Sequence, residues 1–295
     1  MRVLILGAGA IGGYYGARLI EAGHDVVFLV RSARAAMLAG TGLRVRRDSG
    51  DFTRAVAAVT AVTPAARHDL VIVSCKAYDL DASVAAIAPA VGADTCVLPL
   101  LNGLRHLDVM DAAFGTQRVL GGLCHISVTL DADGAIRQFG TLDRLTFGSR
   151  DPVQPVPVPV EAGLRSLGAS VVESHDILGA MWEKFALIAA LAGLTCLLRG
   201  AVGEIVACVE GADLARRLYA ECAGIARRSG YPPSANAIAE AERILTAPGS
   251  PLKASMLRDL ERGARTECEH ILGDLRIRAQ AHALDTPLLA AALAH

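Results

Sequence analysis

Residues 1–31 read MRVLILGAGAIGGYYGARLIEAGHDVVFLVR, and this stretch decides the fold. Arg2–Leu6 is an aliphatic run of strand length, and Val26–Val30 is a second. Between them, Gly7-Ala8-Gly9-Ala10-Ile11-Gly12 leads directly into Ala10–Ala22, which has helical spacing. A GxGxxG at a strand-to-helix junction has a mechanical reading. Gly7 permits the tight turn, Gly9 lets the backbone approach a pyrophosphate, and Gly12 lets helix and strand pack closely. The helix N-terminus adds unpaired N–H groups and a partial positive charge for the phosphates. Glycines serving packing alone are the competing reading, which the strand–turn–helix context disfavours.

The second strand is followed by Arg31, where an Asp or Glu would accept from the ribose hydroxyl of NAD. A guanidinium there pairs instead with the 2′-phosphate of NADP, and Ser32 and Arg34 offer a further donor and cation. NADP is therefore the expected cofactor, against the alternative of a solvated surface arginine.

Working outward, Ser32–Ala39 reads as a short helix, and Leu70–Ser74 and Cys96–Leu100 as further strands. The helix-spaced segments Asp79–Ala88 and Leu104–Phe114 follow them. This alternation predicts an α/β fold with a doubly wound, Rossmann-type parallel sheet. Two insertions interrupt it. Leu43–Val45 and Phe52–Val59 flank Asp48-Ser49-Gly50, and Val119–Leu130 and Ala135–Phe139 flank Asp131–Gly134, both read as hairpins. After a Pro-rich stretch, Asp151–Pro159, the pattern gives a helix at Glu161–Leu167 and a strand at Ser170–Glu173. From Asp176 onward helical runs dominate: 176–200, 213–229, 235–246, 252–262, 264–284 and 287–294. The expected division is a dinucleotide-binding domain over 1–175 and an all-α substrate domain over 176–295.

Composition narrows the function. Lys+Arg total 29 against 30 Asp+Glu, a net charge of −1, and aromatics are 4%. That leaves no basic excess for nucleic acid and too few rings for a base-stacking platform. The longest apolar stretch, Ala186–Leu198, is short of the ~20 residues a membrane span needs, so no membrane partner is expected. The apolar run before Gly7 is only Val3–Leu6, so no signal-peptide core is read. The seven cysteines are widely spaced without CxxC, which suggests a cytoplasmic protein with no metal site.

Four further positions have the right chemistry for a dinucleotide enzyme. Lys76 and Asn102 follow strands whose carboxyl ends should face the cofactor cleft, although each also suits a loop-capping role. Lys184, in Met181-Trp182-Glu183-Lys184-Phe185, enters the most apolar helix of the chain. It either snorkels or is desolvated into a useful proton donor. Glu267 and Ser255 lie in a charge-rich helical region where position alone suits a solvated face, and Gly263 between them leaves open whether they share one.

Taken in order, GAGAIGG, Arg31, Lys76 in VSCKAYD, Asn102 in LLNG, Lys184 in WEKF, and Ser255 and Glu267 in SMLRDL and RTE resemble the ketopantoate reductases over essentially the whole chain. The resemblance implies NADPH-dependent reduction of a 2-oxo acid, most simply ketopantoate to pantoate in pantothenate biosynthesis. It assigns Gly7, Gly9 and Gly12 to the pyrophosphate and Arg31 to the 2′-phosphate. Lys76 and Asn102 are placed beside the nicotinamide and the substrate, and Ser255 on the 2-oxo acid end. Lys184 becomes the general acid, with Glu267 orienting or balancing it. The chain departs from the family in one respect. Where the family commonly carries Asn four and eight residues after the lysine, this chain has Ile188 and Ala192. Another, more apolar 2-oxo acid is therefore the alternative substrate, and a non-catalytic NADP(H) sensor the alternative of a different class. The Ala/Leu-rich helices are compatible with a homodimer, although no heptad pattern specifies one.

Overall fold

The computed structural model describes residues 1–64 and 67–295. It divides into two compact units: Met1–Leu101 with His106–Ile177, and Asn102–Arg105 with Leu178–His295.

In the first unit the chain runs β1 (Arg2–Leu6), α1 (Ala10–Glu21), β2 (Asp25–Leu29), α2 (Ser32–Thr41), β3 (Leu43–Arg46), β4 (Phe52–Arg54) and β5 (Ala57–Val59). It continues through β6 (Leu70–Val73), α3 (Leu80–Ile87), β7 (Cys96–Pro99), α4 (Arg105–Phe114, whose first residue belongs to the second unit), β8 (Gly121–Leu130), β9 (Ile136–Gly148), α5 (Val158–Arg165) and β10 (Val171–Glu173). The strands β5-β2-β1-β6-β7 form one parallel sheet. β1 and β6 sit at its centre and are almost entirely buried, as their uninterrupted aliphatic sequences require. The expected α/β sheet is thus present.

The insertions do more than form hairpins. β3 and β4 pair antiparallel, as do β8 and β9, and together with β10 they make a second sheet in which β9 pairs with β3, β8 and β10. The segment Phe52–Val59, read as one strand, is two. β4 joins the second sheet and β5 the edge of the first. β9 continues nine residues beyond the expected Phe139, to Gly148. Helix α1 packs against strands of both sheets, and a Cβ on Gly13 would come within 2.2 Å of the Ile136 side chain. Tyr14, Tyr15 and Arg18 on α1 all converge on the carboxylate of Asp143 in β9, the tyrosines at 2.8 and 3.3 Å. A half-buried carboxylate with three partners is well compensated, so this network fixes the helix against the second sheet.

The second unit is helical: α6 (Ile177–Leu198, whose first residue belongs to the first unit), α7 (Val202–Val206), α8 (Gly211–Arg228), α9 (Ala235–Leu245), α10 (Ser255–Glu261), α11 (Asp274–Ala281) and α12 (Pro287–Ala294). α7 was not expected. The run 264–284 is not one α-helix either, because a π-helical turn, Glu269–Gly273, precedes α11. At 22 residues α6 exceeds the 13-residue apolar run, because it takes Glu183 and Lys184 into its body. It is long and apolar enough to cross a membrane, yet 56% of its most apolar window is buried inside the fold. It packs as a core helix. Trp182 stacks on Tyr231 with centroids 5.9 Å apart, and the Arg278 guanidinium lies 5.4 Å over the Trp182 ring.

Candidate functional site

In the first unit the glycine-rich turn lies at the carboxyl end of β1. Gly7 has φ +90°, a conformation L-residues rarely adopt, and its N–H donates to the Leu29 carbonyl at 2.9 Å. Gly9 is the N-cap of α1 and nothing lies within 4 Å of where a Cβ would project. Gly12 is the opposite case: a Cβ there would be 2.3 Å from both the Gly7 carbonyl oxygen and the Ser74 Oγ. One glycine thus leaves open space over the turn and another closes the helix onto it. No acidic residue occupies the first turn of α1, so its N-terminal field is uncompensated. The cradle fits a pyrophosphate.

Two residues outside the motif hold this turn. Ser74, just beyond β6, donates from Oγ to the Leu6 carbonyl at 3.2 Å. Arg34 donates from Nε to the Ala8 carbonyl at 3.0 Å and from Nη1 to the Gly134 carbonyl at 2.9 Å. Arg34, expected to add a second cation for the phosphate, is tied through these two nitrogens to the turn and the β8–β9 hairpin. No local signal announces either role, because both partners are distant in sequence.

Arg31 is the N-cap of α2, and its side chain is 83% exposed. Its Nη2 donates to Asp79 Oδ2 at 2.9 Å. Exposed pairs of this kind contribute about 0–1 kcal/mol, so the guanidinium can be drawn to a phosphate at little cost. Lys76, half-buried, caps a short 3₁₀ turn, and its carbonyl accepts from the Asp79 N–H at 2.9 Å. Arg31, Asp79 and Lys76 therefore form one charged edge beyond β2 and β6.

In the second unit Lys184 sits half-buried on α6. The positions on its face, Leu187, Ile188 and Leu191, are also partly accessible, while Ala192 is 3% exposed. Glu267 is 9% exposed, just before the π-helical turn. Single π-turns are rare and frequent at functional sites. Ser255 opens α10 and is exposed. Gly263, with φ +65°, ends the helical path after α10, so Ser255 and Glu267 do not lie on one continuous helix. Asn102 is half-buried in the segment that belongs to this helical unit although it follows β7. The neighbouring Gly103 has φ +82°, and its Cβ position lies 3.1 Å from the ring of His270. His270 was not singled out from the sequence. Burial holds its pKa below the ordinary 6.5, against the opposing pull of Glu267, Asp274 and a hydrogen bond to the Asn102 backbone.

Known proteins resemble this chain over nearly its whole length. The family model for ketopantoate reductase PanE/ApbA matches residues 3–152, and the model for its C-terminal part matches 176–295. The chain is 35% identical over 290 residues to YkpB of Bacillus subtilis, an uncharacterised oxidoreductase, covering 98% of this chain and 95% of that one. It is 30% identical to the 2-dehydropantoate 2-reductase of Archaeoglobus fulgidus, covering 96% and 92% of the two chains. Among solved structures, the 2-dehydropantoate 2-reductase of Geobacter metallireducens superposes with a TM-score of 0.89 at 28% identity, covering 100% of this chain and 98% of that one. A D-mandelate dehydrogenase superposes equally well at 21% identity over 100% and 96% of the chains, a likeness of fold alone.

Proposed function

Because the chain belongs to the ketopantoate reductase family of oxidoreductases, we propose that it reduces a 2-oxo acid to a 2-hydroxy acid with NADPH, ketopantoate to pantoate being the leading reaction. The observation that carries this reading is the open cradle over Gly9 together with the exposed Arg31 at the end of β2, where NAD-binding folds place a carboxylate. Gly7, Gly9 and Gly12 hold the pyrophosphate, Arg31 the 2′-phosphate, and Lys76 and Asn102 the nicotinamide end. The bound nicotinamide supplies the hydride.

The remaining work falls to side chains of the helical unit. Hydride addition at C2 leaves negative charge on the carbonyl oxygen. A Lys184 ammonium beside that oxygen stabilises the charge and then transfers a proton to it, giving the alcohol. Glu267, nearly buried, orients the lysine and balances its charge. Ser255 and Asn102 hold the substrate by hydrogen bonds.

A second reading has its own support. The accessible residues beside Lys184 on α6 are Leu187, Ile188 and Leu191, an apolar stripe. Each polar substrate group left unpaired against such a surface costs about 1–3 kcal/mol, which favours a 2-oxo acid with an apolar side chain. Following NADPH absorbance with ketopantoate, pyruvate, and branched and aromatic 2-oxo acids separates the two. Saturable oxidation with ketopantoate is expected. A preference of about tenfold or more in kcat/KM for another acid moves the protein to the second reading. Tight NADPH binding with no turnover of any acid overturns both and leaves a cofactor sensor.

A further inference from the structure

Asn102 and Glu267 come from distant parts of the chain, yet within the helical unit a single histidine, through its ring and its backbone N–H, connects their backbones. His270 lies in the π-helical turn Glu269–Gly273. Its N–H and that of Ile271 both donate to the Glu267 carbonyl, at 3.1 and 3.0 Å, so the turn that carries His270 is anchored directly on Glu267. The ring, in a residue only 7% exposed, hydrogen-bonds the backbone carbonyl of Asn102. Gly103 is fitted to the same ring. A Cβ there would sit 3.1 Å from His270 Cδ2, 3.2 Å from Nε2 and 3.3 Å from the His270 carbonyl oxygen.

The charged groups facing the ring are Glu267 and Asp274, which favour the imidazolium, and Arg105, which opposes it. Burial outweighs the carboxylates, so the ring is neutral near neutral pH. A neutral imidazole has one N–H to give. Giving it to the Asn102 carbonyl fixes both the tautomer and the height of the Asn102 backbone against the Glu267 turn.

We propose that His270 is a positioning residue that sets Asn102 relative to Glu267, so that the amide beside the nicotinamide and the carboxylate beside the proton donor keep one geometry. The inference rests on the reading of Asn102 and Glu267 given under the proposed function. It asks for a hydrogen-bond donor at position 270, where packing alone would ask only for volume.

Three proteins test it: wild type, His270→Phe, which keeps bulk without a donor, and His270→Gln, which keeps a donor. Amide hydrogen exchange at residues 102–105 is read beside kcat and KM. His270→Phe is expected to speed exchange in that segment selectively by about tenfold or more, as a lost buried hydrogen bond requires. It should lower kcat by about tenfold to a hundredfold with a smaller change in KM for NADPH, the signature of lost alignment. His270→Gln should recover most of both. Exchange and kcat in His270→Phe matching wild type overturn the proposal, as does a His270→Gln protein no better than His270→Phe. If His270→Phe does not fold, ¹⁵N-labelled histidine in the wild type decides: one neutral tautomer with a protected N–H sustains it, and a cationic or tautomerically mixed ring sinks it. If the wild type reduces no 2-oxo acid, the functional reading fails on its own, and the exchange comparison still decides whether His270 holds the Asn102 segment.

Discussion

The turn after β1 and the helical unit place polar groups by different means. At the turn the groups proposed to face the dinucleotide are backbone N–H donors, arranged by three glycines within six residues and held by Ser74 and Arg34. In the helical unit they are side chains. Lys184 on α6 and Glu267 before the π-turn are separated by α7 to α10, and Ser255 opens the last of these. A backbone site is specified by the absence of Cβ atoms and fails when one is added. A side-chain site is specified by functional groups and fails when one is removed. The first should therefore break through shape and binding, the second through chemistry with binding intact.

The largest effect expected is at Lys184. Lys184→Ala should lower kcat by about 10²–10⁴ while NADPH affinity stays near wild type, measured by steady-state turnover beside fluorescence titration. A change below about threefold removes Lys184 as the proton donor. At the turn, Gly12→Ala should do the reverse. A methyl 2.3 Å from the Gly7 carbonyl oxygen and Ser74 Oγ forces the turn apart, so dinucleotide binding should be lost together with about 1–3 kcal/mol of stability in denaturant titration.

Two arginines that follow β2 sharpen the contrast further. Arg31→Ala should weaken NADPH about tenfold or more relative to NADH with little change in melting temperature, because the Arg31–Asp79 pair is exposed. Arg34→Ala should weaken both cofactors alike and lower the melting temperature, because Arg34 ties the Ala8 carbonyl to the hairpin at Gly134. Equal losses of NADPH and NADH in Arg31→Ala would remove its 2′-phosphate role.

The smallest effect is in acid. His24 and His270 both have pKa values lowered by burial from the ordinary 6.5. The folded protein therefore binds their protons less readily than the unfolded chain. Their contribution to stability is complete above about pH 6.5 and is lost as the pH falls through the lower folded values. Melting temperature should drop on acidification across that window, and less steeply in His270→Gln, where one of the two groups is gone.

Much of the first unit was legible because its information is local. A strand, a glycine turn and a helix follow one another in 21 residues, and hydrophobic runs mark the buried strands β1 and β6 without reference to anything else. The second sheet was only half legible. Leu142, Asp143 and Arg144 do not alternate as a solvent-facing strand should, and Leu142 is 60% exposed. Asp143 and Arg144 are strand because they pair with Ile126 and His125 of β8, and Asp143 is tolerated there because Tyr14, Tyr15 and Arg18 surround it. Likewise Phe52–Val59 looks continuous until two sheets divide it.

What the sequence by itself determined, then, is what neighbouring residues dictate: the glycine turn, the parallel strands, the helical second half, and the residue types able to bind a dinucleotide and donate a proton. Tertiary structure alone decided the partners of β9 and the π-turn at Glu269–Gly273. It also set the commitment of Arg34 to the Ala8 carbonyl and the meeting of His270 with Asn102 and Gly103. Each of these is a contact between residues far apart in the chain. Its energy comes from burial and from satisfying polar groups that no local pattern encodes.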